Sequence, residues 1–208
     1  MKNDYSRLLI LLVFISMIGI AIVPVVSAAN AGTPSNRIVS NATPEQLDKI
    51  NALWGKDITI GEYMEQVHPE HLVGVPDDVK KIMYQRKMIW PDAKNETKIA
   101  QLSRLTTTLT VSCTITKVSS TRIDYNGKSQ LTPASATATY IYVEAFLRNA
   151  AGTSVDSTSA STQAANSVPT QNKMYFWPAN GNYHVTSYGY TISPNLDGAG
   201  QTGTISIP

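Results

Sequence analysis

The sequence predicts a mainly β protein, an antiparallel β-sandwich over residues 105–208 preceded by a small helical region. Three observations carry this. Thr106–Val118 and Thr137–Arg148 alternate apolar and polar residues with the period of two expected of half-buried strands. About six to eight such segments follow one another, separated by turn signals and with no helical pattern between them, as in a sandwich. Residues 43–92 instead repeat apolar residues at three- and four-residue spacing behind recognisable cap sequences.

In chain order, Met1–Arg7 is short and polar and carries Lys2 and Arg7; Leu8–Val26 is almost wholly aliphatic, and Val26-Ser27-Ala28 supplies small residues. This is the three-part pattern of an export signal over residues 1–28. The apolar run approaches the ~20 residues that cross a bilayer, so a retained anchor is the alternative. Pro24 ends the helix before the small residues, which favours cleavage. Either way, residues 29–208 are expected outside the cell or at its surface, with membrane contact only through the N-terminal segment. Residues 29–42 are small, polar and aperiodic, and read as a flexible tether.

Residues 43–104 form the expected helical region. Thr43-Pro44-Glu45-Gln46 combines a cap, a proline suited to the first helical position and a capping-box glutamine, followed by the stripe Leu47, Ile50, Leu53 and Trp54. Thr59 with Glu62 opens a second helix whose face is Ile60, Tyr63, Met64 and Val67. His68-Pro69 stops it. Pro76-Asp77-Asp78 opens a third, with Val79, Ile82 and Met83 inward. Helices this short are marginal alone, so they must pack on the β-region. His68-Pro69-Glu70-His71 is the nearest approach to a metal motif, but its histidines are three apart across a proline. The expectation is a solvated loop, with no metal ion, cofactor or catalytic residue assigned.

In the β-region, Leu109, Val111, Cys113 and Ile115 share one face of the first strand, and threonines dominate the other. Asn126-Gly127 is a strong hairpin signal. Thr137–Arg148 puts Ile141, Val143, Ala145 and Leu147 on one face and Tyr140, Tyr142, Glu144 and Phe146 on the other. Thr153–Asn166 reads as a polar returning strand, with disorder as the alternative. Lys173–Trp177, Tyr183–Ile192 and Thr202–Ile207 complete the set, the last after a Pro-Asn-Leu-Asp-Gly loop.

Asn180-Gly181-Asn182-Tyr183-His184-Val185 resembles the tyrosine-corner entry to strand F of immunoglobulin-like domains. The resemblance implies that the Tyr183 hydroxyl bonds back to nearby backbone, that Val185 faces the core, and that Cys113 sits on strand B without a disulfide partner. The chain departs from the pattern at Ala179, where an acid is usual, and in having no tryptophan in the Tyr140–Leu147 strand. A shared fold of this kind implies no activity.

If the Tyr140 and Tyr183 strands pair as strands C and F would, Tyr140, Tyr142 and Phe146 lie beside His184, Tyr188 and Tyr190 on one outward face. Such a face is covered by the helices or by another subunit, or else it is a platform for sugar rings or a protein partner. Reversed parity would make it core. Asn41 and Asn95 begin glycosylation-type triplets.

With 17 basic and 15 acidic residues the chain has no field to attract nucleic acid. Its single cysteine excludes an intramolecular disulfide. Asp124, Glu144 and Asp156 are scattered and expected to be solvated, and no nucleophile elbow or triad order is present. The sequence therefore points to an exported, non-enzymatic cell-surface or adhesion module with a protein or glycan partner. A self-associating structural subunit of an envelope or filament is the alternative, ahead of a secreted hydrolase.

Overall fold

The computed structural model describes residues 37–91 and 107–208. Residues 1–28, expected to be an export signal, most of the expected tether and Asn95 lie outside the described residues. The described chain is mainly β, with two antiparallel sheets. The larger holds β1 (Ile38–Asn41), β4 (Ala138–Asn149), β5 (Ser154–Ala165), β8 (Gly181–Ile192), β9 (Leu196–Gln201) and β10 (Ile205–Ile207), in the order β1-β5-β4-β8-β10, with β9 also on β8. The smaller holds β2 (Thr108–Ser119), β3 (Arg122–Thr132), β6 (Ser167–Pro169) and β7 (Lys173–Phe176); β2 and β6 flank β3, and β7 also pairs with it.

The period-two apolar sets meet between the sheets. Val111, Leu131, Ile141, Val143, Ala160 and Val168 form one cluster, and Ile123, Tyr125, Ala145, Leu147, Tyr183, Val185 and Ile207 another. The sheets approach closely at glycine. A Cβ on Gly189 would collide with the Ser129 hydroxyl and lie 2.9 Å from a Val111 methyl, both on the facing sheet. The Tyr183 hydroxyl donates to the Ala179 carbonyl at 2.8 Å, closing the corner at the start of β8. Cys113, half-buried, places its sulfur 3.5 Å from the Val185 carbonyl oxygen.

The helices form a third layer over the outward face of the larger sheet. They are α1 (Pro44–Leu53), α2 (Ile60–Val67), a 3₁₀ turn at Pro69–Leu72, and α3 (Asp77–Gln85). Thr43 and Thr59 each close a full capping box, with Gln46 and Glu62. Ile50, Leu53, Tyr63, Met64, Val67, Val79 and Met83 then pack on Tyr140, Tyr142, Phe146, Tyr188 and Tyr190 in one cluster. Polar groups pin the layer to strand backbones. The Asn51 amide exchanges two 2.9 Å hydrogen bonds with the Ser154 backbone. Arg86, at the end of α3, donates to the carbonyls of Thr191 and Leu196 and to the Asp197 carboxylate.

Three sequence expectations change. Ile38–Asn41 is not tether but an edge strand, pairing with Thr158–Ser161 of β5; a run this short has too little periodicity to announce itself. Asn126-Gly127 lies inside β3, and the hairpin turn falls between Ser119 and Arg122. Gly127 serves the packing there, since a Cβ would meet that of Ala145 at 3.0 Å. The Pro194–Gly198 loop instead turns early and enters β9 at Leu196. The polar run Thr153–Asn166 is an ordered strand, β5, paired on both edges.

Candidate functional site

Glu144 sits on β4 in register with Tyr142 and Phe146, so its carboxylate points toward the helical layer. It is completely buried. A bare carboxylate there would be costly, and four donors meet it. Tyr63 of α2 and Tyr142 of β4 each donate to Oε2 at 2.8 Å. Ser157 of β5 donates to Oε1 at 2.5 Å, and His68 Nε2 lies 2.9 Å from the same oxygen. One carboxylate thus ties together two strands, a helix and the turn that follows it.

The 3₁₀ turn extends the cluster. His68 Nδ1 lies 3.2 Å from Glu70 Oε1, so the ring is held between two carboxylates. Burial alone would lower the His68 pKa, but the Glu144 charge, seconded by Glu70, raises it to about 9. Burial likewise pushes Glu70 up, but its hydrogen bonds to His68, Ser40 and backbone, together with the His68 charge, hold the acid at about 2. Glu144 also ends below the ordinary carboxylate range: burial opposes ionisation, while the His68 charge and the donated hydrogen bonds overcome it. His71 is different. Burial, reinforced by the His68 charge, lowers its pKa to about 4, so the ring is neutral. Its nitrogens meet the hydroxyls of Ser161 and Ser159, both at 2.8 Å. Ser157, Ser159 and Ser161 alternate on the helix-facing side of β5, and their small side chains let the turn approach the sheet.

The expected solvated loop at His68–His71 is therefore corrected, as is the expected solvation of Glu144: both histidines and the glutamate are fully buried. Proline does break the helix, but the break folds back onto the sheet instead of out to water. The sequence held a signal for this. Glu144 alternates with Tyr140, Tyr142 and Phe146, so any layer covering those aromatics must bury the acid and supply it with partners. Asp156 is buried as well, 3.7 Å from the Lys173 ammonium, and Asp124 is bound by Arg122.

The aromatic residues singled out by sequence fall on one face, as the strand pairing required. Tyr140, Tyr142, Phe146, Tyr188 and Tyr190 all lie beneath the helices. His184 shares their strand face but sits half-buried at its end, across from Arg148. Asn41 is exposed at the end of β1.

A different apolar group faces solvent. Met174, Phe176 and Trp177 stand at the end of the smaller sheet, Phe176 being 53% and Trp177 79% exposed. Trp177 has a φ of +56°, in the left-handed region that bulky residues avoid. Its backbone N–H donates to the Thr121 carbonyl at 2.9 Å. The Arg122 guanidinium lies 5.9 Å from the Phe176 ring centre and grips Asp124 through two 2.7 Å hydrogen bonds. Asn172 donates to the same carboxylate at 3.3 Å. Sequence reasoning saw Lys173–Trp177 only as a short strand, because alternation does not reveal which residue a loop projects.

No family model, curated protein or solved structure matches the chain. Its class is set by its own architecture: a mainly β domain of two antiparallel sheets with a helical layer over one of them.

Proposed function

We propose that the protein is an exported, non-enzymatic surface module with an immunoglobulin-like sandwich, and that it binds a glycan at the Phe176–Trp177 corner. The observation that carries this reading is the Trp177 backbone. A non-glycine residue at positive φ costs on the order of 1–3 kcal/mol, and such strain collects at functional positions. Here it projects a tryptophan that is 79% exposed. Aromatic faces stack on sugar rings, and the adjacent Arg122, Asp124 and Asn172 offer planar donors and acceptors for hydroxyl groups. The immunoglobulin-like kinship is supported by the Tyr183 corner bond, the β4–β8 pairing and the position of Cys113 opposite Val185. Export is supported by the signal-like residues 1–28. The non-enzymatic reading is supported by the burial of the Glu144–His68 cluster, whose groups are engaged with one another.

A glycan array probed with the purified protein, alongside Trp177→Ala, tests this. The expected result is binding to a defined glycan class that falls at least about tenfold in the variant, with an unchanged melting temperature, since so exposed a ring contributes little to folding. Binding that ignores Trp177→Ala, or binding only to protein partners, would overturn the glycan reading. Hydrolytic turnover in a glycosidase and esterase screen would overturn the non-enzymatic one.

A further inference from the structure

We infer that the His68–Glu70–His71 turn is a binding site for one divalent transition-metal ion of the zinc type, a site independent of the aromatic corner. Each of the three residues offers a ligand atom, and these atoms lie within 4.8 Å of one another. His68 Nδ1 and Glu70 Oε1 are 3.2 Å apart, and the ion displaces to solvent the proton that the imidazolium otherwise shares with Glu70. Two ligands about 2.1 Å from a tetrahedral zinc ion are separated by roughly 3.4 Å, so this pair is already set at ligand spacing. Three neighbouring groups on a four-residue turn supply two imidazole nitrogens and a carboxylate, a donor set suited to zinc and its neighbours in the transition series.

The surroundings strengthen the assignment. A ligating histidine characteristically gives its other ring nitrogen to a carboxylate or hydroxyl, which orients the ring and makes it a better donor. His68 does so through Nε2 to Glu144 Oε1 at 2.9 Å. Glu144 is itself anchored by Tyr63, Tyr142 and Ser157. His71 has hydroxyls at both nitrogens, Ser161 and Ser159. In the neutral ring one nitrogen donates and the other accepts, and the ion takes the place of the hydroxyl at the accepting one. Glu70 gives the route in: its side chain is 34% exposed while the histidines are sealed. Three protein ligands leave a fourth position, on that exposed side, for water.

The test uses the full purified chain, freed of metal with a chelator and then titrated with zinc, and with cobalt(II) as a coloured substitute. The expected result is one ion per chain by elemental mass spectrometry, a tetrahedral-type visible band with cobalt, and a rise in melting temperature with zinc. Glu70→Gln, at a partly exposed position, should keep the fold and weaken zinc binding by about tenfold or more. His184→Ala should leave binding unchanged, because His184 lies outside the cluster. Failure to take up zinc or cobalt stoichiometrically would overturn the assignment, as would affinity unchanged in Glu70→Gln or lost in His184→Ala.

Discussion

At the scale of single residues, several side chains do one identifiable job. The Tyr183 hydroxyl closes the β8 corner on the Ala179 carbonyl, and its ring is packed with Val185 and Ile207. Tyr183→Phe removes only the hydrogen bond and should cost about 1 kcal/mol, whereas Tyr183→Ala also leaves a cavity and should cost roughly 3 kcal/mol. Urea melts that give equal, negligible losses for both would contradict the corner's role. Gly189→Ala drives a methyl group against the Ser129 hydroxyl, the Tyr142 carbonyl oxygen and Val111 and should lose about 1–3 kcal/mol in the same assay. Asp156 carries the pH dependence that is easiest to isolate. Burial raises its pKa, with Lys173 opposing, so the folded chain holds this proton more tightly than the unfolded one. The sign follows: the contribution is present at acid pH and is lost as pH rises through the folded pKa. The stability of Asp156→Asn relative to wild type should therefore improve between about pH 4 and pH 7. A relative stability that falls over that interval would contradict the assignment.

At the scale of elements, the helical layer is held by apolar packing and by a few directed polar contacts. Arg86 is the chief tie between α3 and the β8–β9 edge, where Asp197 also accepts from Tyr188 at 2.8 Å. Arg86→Ala should cost about 1–2 kcal/mol, the value of a partly exposed charged hydrogen-bond group, and should speed amide exchange in Asp77–Gln85 more than in β2. Uniform exchange changes in both elements would show that Arg86 does not anchor that helix. Much at this scale was legible. The two capping boxes, the faces of all three helices and the alternation of β4 and β8 are local patterns, and local patterns survive folding. The misplaced features depend on distant partners. Asn126-Gly127 looks like a turn until Ala145 of the facing sheet explains its glycine. Ile38–Asn41 is a strand only because β5 offers it an edge. His68 and His71 look solvated until the aromatic face they cover is in place. The exposed Trp177 was invisible for the converse reason, since a positive φ leaves no periodic trace.

At the scale of the whole molecule, the helical layer and the larger sheet form one cooperative unit, sealed at Glu144, His68 and His71. The aromatic surface of β4 and β8 is then interior, out of a partner's reach. Native-state hydrogen exchange tests this most directly, because it reports the free energy at which each segment opens. The slowest amides of Ile60–Val67 and of Ala138–Asn149 are expected to exchange at the same free energy, that of global unfolding. A helical layer that opens several kcal/mol below the sheet would contradict it, and would return Tyr140, Tyr142, Phe146, Tyr188 and Tyr190 to the surface as a face that ligands can reach.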